Sequence, residues 1–108
     1  MNLNEQDFRT LLDTTNGDVV ALFSATWCGP CHSFAPVFAD TAKHMPDVKF
    51  AKLDVDECTQ LCEDLNIAIV PTIMVFKEAK AVARKEGGFG TVSHFINWLD
   101  SQGVKGKQ

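Results

Sequence analysis

Apolar residues recur along this chain with two periods that exchange every ten residues or so. Phe8, Leu11 and Leu12 fall at helical spacing and predict a short helix over residues 5–14, which "TTNGD" ends with turn-forming residues. Residues 19–25, "VVALFSA", are apolar at nearly every position, the pattern of a central strand covered on both faces. Phe34, Val37, Phe38, Thr41, Ala42 and Met45 then keep one stripe of the clearest helix. Pro36 lies inside that helix, where its missing N–H predicts a kink. "VKFAKLDV", residues 48–55, predicts a second strand, and Asp56 is placed to cap a short helix reaching about residue 65. Pro71 precedes a third strand, "TIMVF", and the turn "KEAK" leads to an antiparallel partner, "AVARKE". Gly87, Gly88 and Gly90 interrupt the pattern before a last helix marked by Val92, Phe95, Ile96 and Leu99. The tail "GVKGKQ" predicts a frayed end.

The order helix, strand, helix, strand, helix, strand, strand, helix predicts an α/β fold: a small central mixed sheet with helices on both faces. Residues 19–65 are expected to supply two crossover units, both right-handed. Residues 1–3 give weak support for a very short edge strand. The 108 residues suit one domain over 1–108 with one hydrophobic core.

Composition narrows the partners. Apolar residues make up 45% and charged residues 22%, and the net charge of -4 is spread without blocks, so nucleic acid finds no basic footprint. No apolar run approaches the length of a membrane span. "MNLNEQDFRT" lacks the basic-then-apolar pattern of a secretory signal, which makes a cytoplasmic location the expectation. In a reducing cytosol, the four cysteines at 28, 31, 58 and 62 point to chemistry or metal rather than to structural staples.

Cys28 and Cys31 lie three positions apart, after the buried strand and at the entry of the long helix. Unpaired N–H groups at a helix start stabilise negative charge and so favour the thiolate, the nucleophilic form. Gly29 and Pro30 suit the turn into the helix, and Trp27 can form a flat apolar wall beside it. The chemistry this predicts is thiol–disulfide exchange: an exposed Cys28 attacks a disulfide, and Cys31 resolves the mixed disulfide. The same spacing occurs in zinc sites, and a four-cysteine zinc site recruiting Cys58 and Cys62 is the competing arrangement; a purely structural disulfide is another.

"WCGPC" at Trp27–Cys31, Pro36 five positions beyond, "VPT" at Val70–Thr72 and Gly87 together resemble the thioredoxin family, over essentially the whole stretch from Phe8 to Leu99. The resemblance implies the thioredoxin fold, with the dithiol at the start of the long helix and a cis Val70–Pro71 bond facing it. It implies a shallow substrate groove built from Trp27, Gly29, Pro30, Val70, Pro71 and Gly87, in which the Val70 backbone pairs with an extended substrate segment. It implies no bound cofactor or metal beyond the Cys28–Cys31 redox couple. Electrons would come from NADPH through a flavin-dependent thioredoxin reductase. Clients would be disulfide-containing proteins such as peroxiredoxins, methionine sulfoxide reductases or ribonucleotide reductase, served by a monomer.

Several residues depart from the family pattern. Leu22 stands where the family usually has a buried aspartate that exchanges a proton with the second cysteine, and no other acid in "VVALF" replaces it. Loss of a buried negative neighbour should ease thiolate formation and make the pair a better oxidant. Lys52 loses the partner such lysines usually approach; it either reaches solvent or sits near Cys31. His32 replaces a common lysine or arginine and can tune charge near neutral pH. Ile69 and Ala79 replace glycines. Cys58 and Cys62 would share a face of a regular helix with their sulfurs too far apart to bond, unless the helix distorts or another chain intervenes; packing as small apolar side chains is the expectation, and oxidative regulation, which the resemblance allows, the alternative. Function therefore reads as protein-disulfide reduction, with a more oxidising disulfide oxidase or isomerase, or a non-enzymatic redox-sensing module, as the alternatives.

Overall fold

The computed structural model describes residues 1–104. Its elements are α1 (Glu5–Thr14), β1 (Asp18–Ser24), α2 (Gly29–His44), β2 (Lys49–Asp54), α3 (Thr59–Asp64), β3 (Thr72–Lys77), β4 (Lys80–Glu86) and α4 (Val92–Ser101). The strands form one mixed sheet in the order β2-β1-β3-β4. β1 runs parallel to β2, pairing Leu22 with Lys52, and antiparallel to β3, pairing Leu22 with Ile73. β3 and β4 are antiparallel. The weakly expected edge strand is a single parallel bridge between Asn2 and Lys52. Leu3 N–H donates to the Lys52 carbonyl at 3.0 Å, and Lys52 N–H to that of Met1 at 2.8 Å.

β1 is buried on both faces because it sits between two strands and under two helix layers. Val20, Leu22, Ile73 and Val75 face Phe34 and Phe38 of α2 and Phe95 and Leu99 of α4. Val19, Ala21, Phe23 and Leu53 face Phe8 of α1 and Leu61 of α3. Phenylalanines fill the first layer edge to face: Phe34–Phe95 at 5.2 Å and Phe38–Phe50 at 5.4 Å between ring centroids. The long helix continues through Pro36 to His44.

Three expectations need correction. The sheet contains one parallel crossover in 19–65, β1–α2–β2, not two. α3 has six residues and so rises only about 9 Å. That is too short to carry the chain back along a strand, so β3 starts at the same end and runs the other way. The cap of α3 is Cys58, not Asp56; Leu61 N–H is instead satisfied by Glu5 Oε1 of α1 at 3.1 Å. The start of the tail is ordered. Gly103, at φ 79°, ends α4 in a Schellman arrangement: its N–H donates to Asp100 O and that of Val104 to Leu99 O, at 3.0 and 2.9 Å. Val104 is buried against the α4 side of the core. Residues 105–108 of the expected frayed end lie outside the described residues.

The hairpin between β3 and β4 turns on Glu78 and Ala79, both at positive φ (51° and 68°). That is the geometry which favours Asn-Gly, and a Cβ at each position opposes it. Ala79→Gly should therefore stabilise the fold by about 1 kcal/mol. An increased urea midpoint at unchanged slope is the expected result; an unchanged or lower midpoint would refute this reading of the turn.

Candidate active site

β1 ends at Ser24, and the chain turns at once into α2, with Cys28 N–H donating to Ala25 O at 3.3 Å. Cys28 is the N-cap of α2: its backbone is extended, and its sulfur accepts the N–H of Cys31 at 3.2 Å. Gly29 and Pro30 take the first two helical positions, where proline loses no hydrogen bond. Cys28 and Cys31 are joined as a disulfide with Cα atoms 5.3 Å apart. The sequence predicted an exposed Cys28, but in this oxidised state it is only 6% accessible and Cys31 2%. Ala25, Val55 and Val70 pack around the pair and account for the cover.

Val70 and Pro71 come from the other half of the sheet. Their peptide bond is cis, and the Val70 carbonyl oxygen lies 3.7 Å from Cys28 Sγ. Gly87, at φ 94°, donates its N–H to Pro71 O at 2.7 Å, which ties this loop to the end of β4. Thr72 Oγ1–H donates to Ile69 O within the same loop. Gly88 was not singled out by the sequence; a Cβ there would come 2.7 Å from the Phe34 ring, so its bareness lets this segment lie against α2. Trp27 is 69% exposed and Ile69 50%, leaving two large apolar surfaces open near the disulfide.

Sequence reasoning missed the role of Asp56. Its Oδ2 accepts the Trp27 indole N–H at 2.9 Å and so holds the ring. An acid just before a short helix gives the signal of a helix cap, and nothing local marks a partner 29 positions away.

Leu22 is fully buried beside Lys52 and Ile73 in the sheet register. Lys52 is half-buried and lines, with Cys31, His32, Ser24, Asp54 and Glu57, a cavity of about 560 Å³ on the β2 side of the disulfide. Trp27, Val70, Pro71 and Gly87 are not part of its lining. His32 Nε2 donates to Thr26 O at 2.7 Å.

Cys58 and Cys62 do not join this site. Cys58 packs with Phe8, Leu53 and Leu61 on the opposite sheet face, with Cys62 against the same group, so the four cysteines do not converge. Among the described residues, no group of three or more His, Cys, Asp or Glu is arranged to hold a metal ion. Cys58 is the N-cap of α3, and its sulfur lies 3.7 Å from Cys62 Sγ with both thiols free. Its S–H donates to Asp54 O at 3.1 Å. Burial, then the hydrogen bond with Cys62, pushes the Cys58 thiol up to about 12. Burial raises Cys62 as well. No helix among the described residues is long and apolar enough to cross a membrane.

This geometry agrees with known proteins. The family model described as Thioredoxin matches residues 1–101. Thioredoxin C-3 of Corynebacterium nephridii is 36% identical over 94% of this chain and 70% of its own length. Thioredoxin H1 of Arabidopsis thaliana is 46% identical over 64% of this chain, a match spanning 60% of the plant protein. The solved structure of Plasmodium falciparum thioredoxin superposes with a TM-score of 0.84 at 28% identity, over 93% of this chain and 96% of that one. A chain from the structural study of thiol resolution in yeast mitochondrial 1-Cys peroxiredoxin via the glutathione/thioredoxin systems gives 0.80 at 27% identity, over 94% and 93%. With its family model, its fold and its paired Cys28 and Cys31 in agreement, this chain belongs to the thioredoxin family.

Proposed function

We propose that this chain reduces protein disulfides by dithiol exchange. Cys28, as thiolate, attacks a client disulfide; one client sulfur leaves and a Cys28–client bond forms. Cys31 then attacks Cys28 Sγ, releases the second client thiol and leaves the Cys28–Cys31 disulfide. The observation that carries this reading is the pairing of the two sulfurs at the N-terminus of α2, beside the Val70 carbonyl. Helix-start N–H groups favour the thiolate there. Trp27 and Ile69 offer apolar surface for a client segment, and the cis Pro71 loop offers backbone beside the sulfur. Reset of the disulfide by an NADPH-dependent thioredoxin reductase, peroxiredoxin-type clients, a cytoplasmic location and a monomeric state complete the proposal. They rest on family likeness.

Coupled insulin reduction with NADPH and a thioredoxin reductase tests it. Cys28→Ser should abolish turnover, and Cys31→Ser should accumulate mixed disulfides that appear on non-reducing gels. Full turnover by Cys28→Ser would end the proposal.

Cys58 and Cys62 stand outside this exchange, because burial raises both thiols, Cys58 to about 12, and a protonated thiol is a poor nucleophile. When the reduced protein is treated briefly with iodoacetamide at pH 7, Cys28 should be modified while Cys58 and Cys62 remain free. Peptide mass spectrometry reads the sites directly, and equal labelling at Cys58 would contradict the assignment.

A further inference from the structure

Cys31 faces the client groove through Cys28 but also lines the cavity on the β2 side. Resolution of a mixed disulfide requires Cys31 to lose a proton. β1 supplies no acceptor for it: Leu22 is apolar and buried, and the strand's one acid, Asp18, lies at the far end with its Oδ2 3.0 Å from Lys77 Nζ. The N-terminal ammonium is engaged at Phe50 O, 3.0 Å away. The titratable groups that share the cavity with Cys31 are His32, Lys52, Asp54 and Glu57.

His32 differs from the others in what its ring can do. Its Nε2 lies 2.7 Å from the Thr26 carbonyl oxygen. A carbonyl only accepts, so Nε2 carries the hydrogen and the neutral ring keeps its lone pair on Nδ1. The bond to Thr26 thereby fixes both the tautomer and the ring orientation. Lys52, as an ammonium, has no lone pair and can only stabilise a thiolate. Asp54 Oδ1 already accepts the Asp56 N–H at 2.9 Å, and carboxylates are weak bases toward a thiol. Imidazole is the group in this cavity able to take up and return a proton close to neutral pH.

We propose that His32, through Nδ1 and directly or by way of water in the cavity, accepts the proton of Cys31 during resolution. The inference rests on the exchange proposed above. The Cys31 S–H bond breaks and its proton passes to imidazole. The thiolate attacks Cys28 Sγ, the Cys28–Cys31 bond forms, and the Cys28–client bond breaks with its electron pair leaving on the client sulfur. The client is reduced by two electrons and the dithiol oxidised by two; the imidazolium then returns its proton to solvent or to the departing thiolate.

Stopped-flow reaction of the reduced protein with dithionitrobenzoate separates the steps, because attack by Cys28 and then by Cys31 each releases one coloured thiolate. Peptide mass spectrometry of quenched samples assigns each phase to its cysteine. His32→Ala and His32→Gln should keep the first phase within about twofold and slow the second by about 10²-fold. Added imidazole should restore the second phase in His32→Ala. Asp54→Asn and Glu57→Gln should leave both phases in place. An unchanged second phase in the His32 variants, a slowing that imidazole does not rescue, or an equal slowing in Asp54→Asn or Glu57→Gln would overturn the assignment. Absence of the first phase in the wild-type protein would instead remove the exchange reading itself.

Discussion

The chemistry of this molecule depends on where one helix begins. Cys28 is both the last extended residue after β1 and the cap of α2, so its sulfur takes a backbone N–H that would otherwise have no partner. A helix start is worth about 0.3–1 kcal/mol to a neighbouring negative charge at the surface, and up to about 2 kcal/mol where solvent is partly excluded. One residue earlier or later, the sulfur would leave this position. Pro30 at the second helical position and the Cys28 N–H to Ala25 O bond both hold the start in place. The apolar β1 anchors the turn from behind.

The second half of the site arrives by topology. β1 and β3 are neighbours and antiparallel, so the end of β1 that delivers Cys28 lies beside the beginning of β3, where Val70 and Pro71 enter. Gly87 at the end of β4 closes the arrangement by binding the Pro71 carbonyl, and Gly88 lets that segment approach Phe34 of α2. The same phenylalanine packs on Phe95 in the core. The segment around Pro71 and Gly87 is therefore tied to the hydrophobic layer beneath it, and substitutions at Gly88 or Phe34 act on both.

Elements with a strong period were legible in the sequence. α1 agrees with its expected range, and the four strands agree within a residue or two, because their apolar runs are bounded by turn residues. The CxxC at a helix entry was legible because its chemistry requires that placement. What could not be read was pairing across distance. The Asp56 bond to the Trp27 indole and the Glu5 oxygen on the Leu61 N–H both join residues from different elements. Helical spacing held for Cys58 and Cys62, whose sulfurs share a face 3.7 Å apart and stay unbonded. The glycine after α4 was a cap signal read as a tail, and its hydrophobic partner Val104 was missed with it.

Leu22 shows how a core substitution redistributes the electrostatics of a site. A carboxylate at this fully buried position would lie beside Lys52 in register and would carry a desolvation cost of several kcal/mol unless well paired. Leucine removes that cost and adds an apolar contribution of about 1.5–3 kcal/mol to the layer shared with Phe34 and Phe95. It also removes fixed negative charge from behind the sulfurs. The charged groups left near Cys31 then lie in a cavity open to solvent, where salt screens them and water exchanges protons with them. A buried acid would hold its proton in a low dielectric, insulated from the medium; groups in an open cavity follow the pH and ionic strength of their surroundings. By this argument the second cysteine of this chain is more responsive to its medium than one backed by a buried carboxylate, and the difference originates in a side chain that makes no polar contact at all.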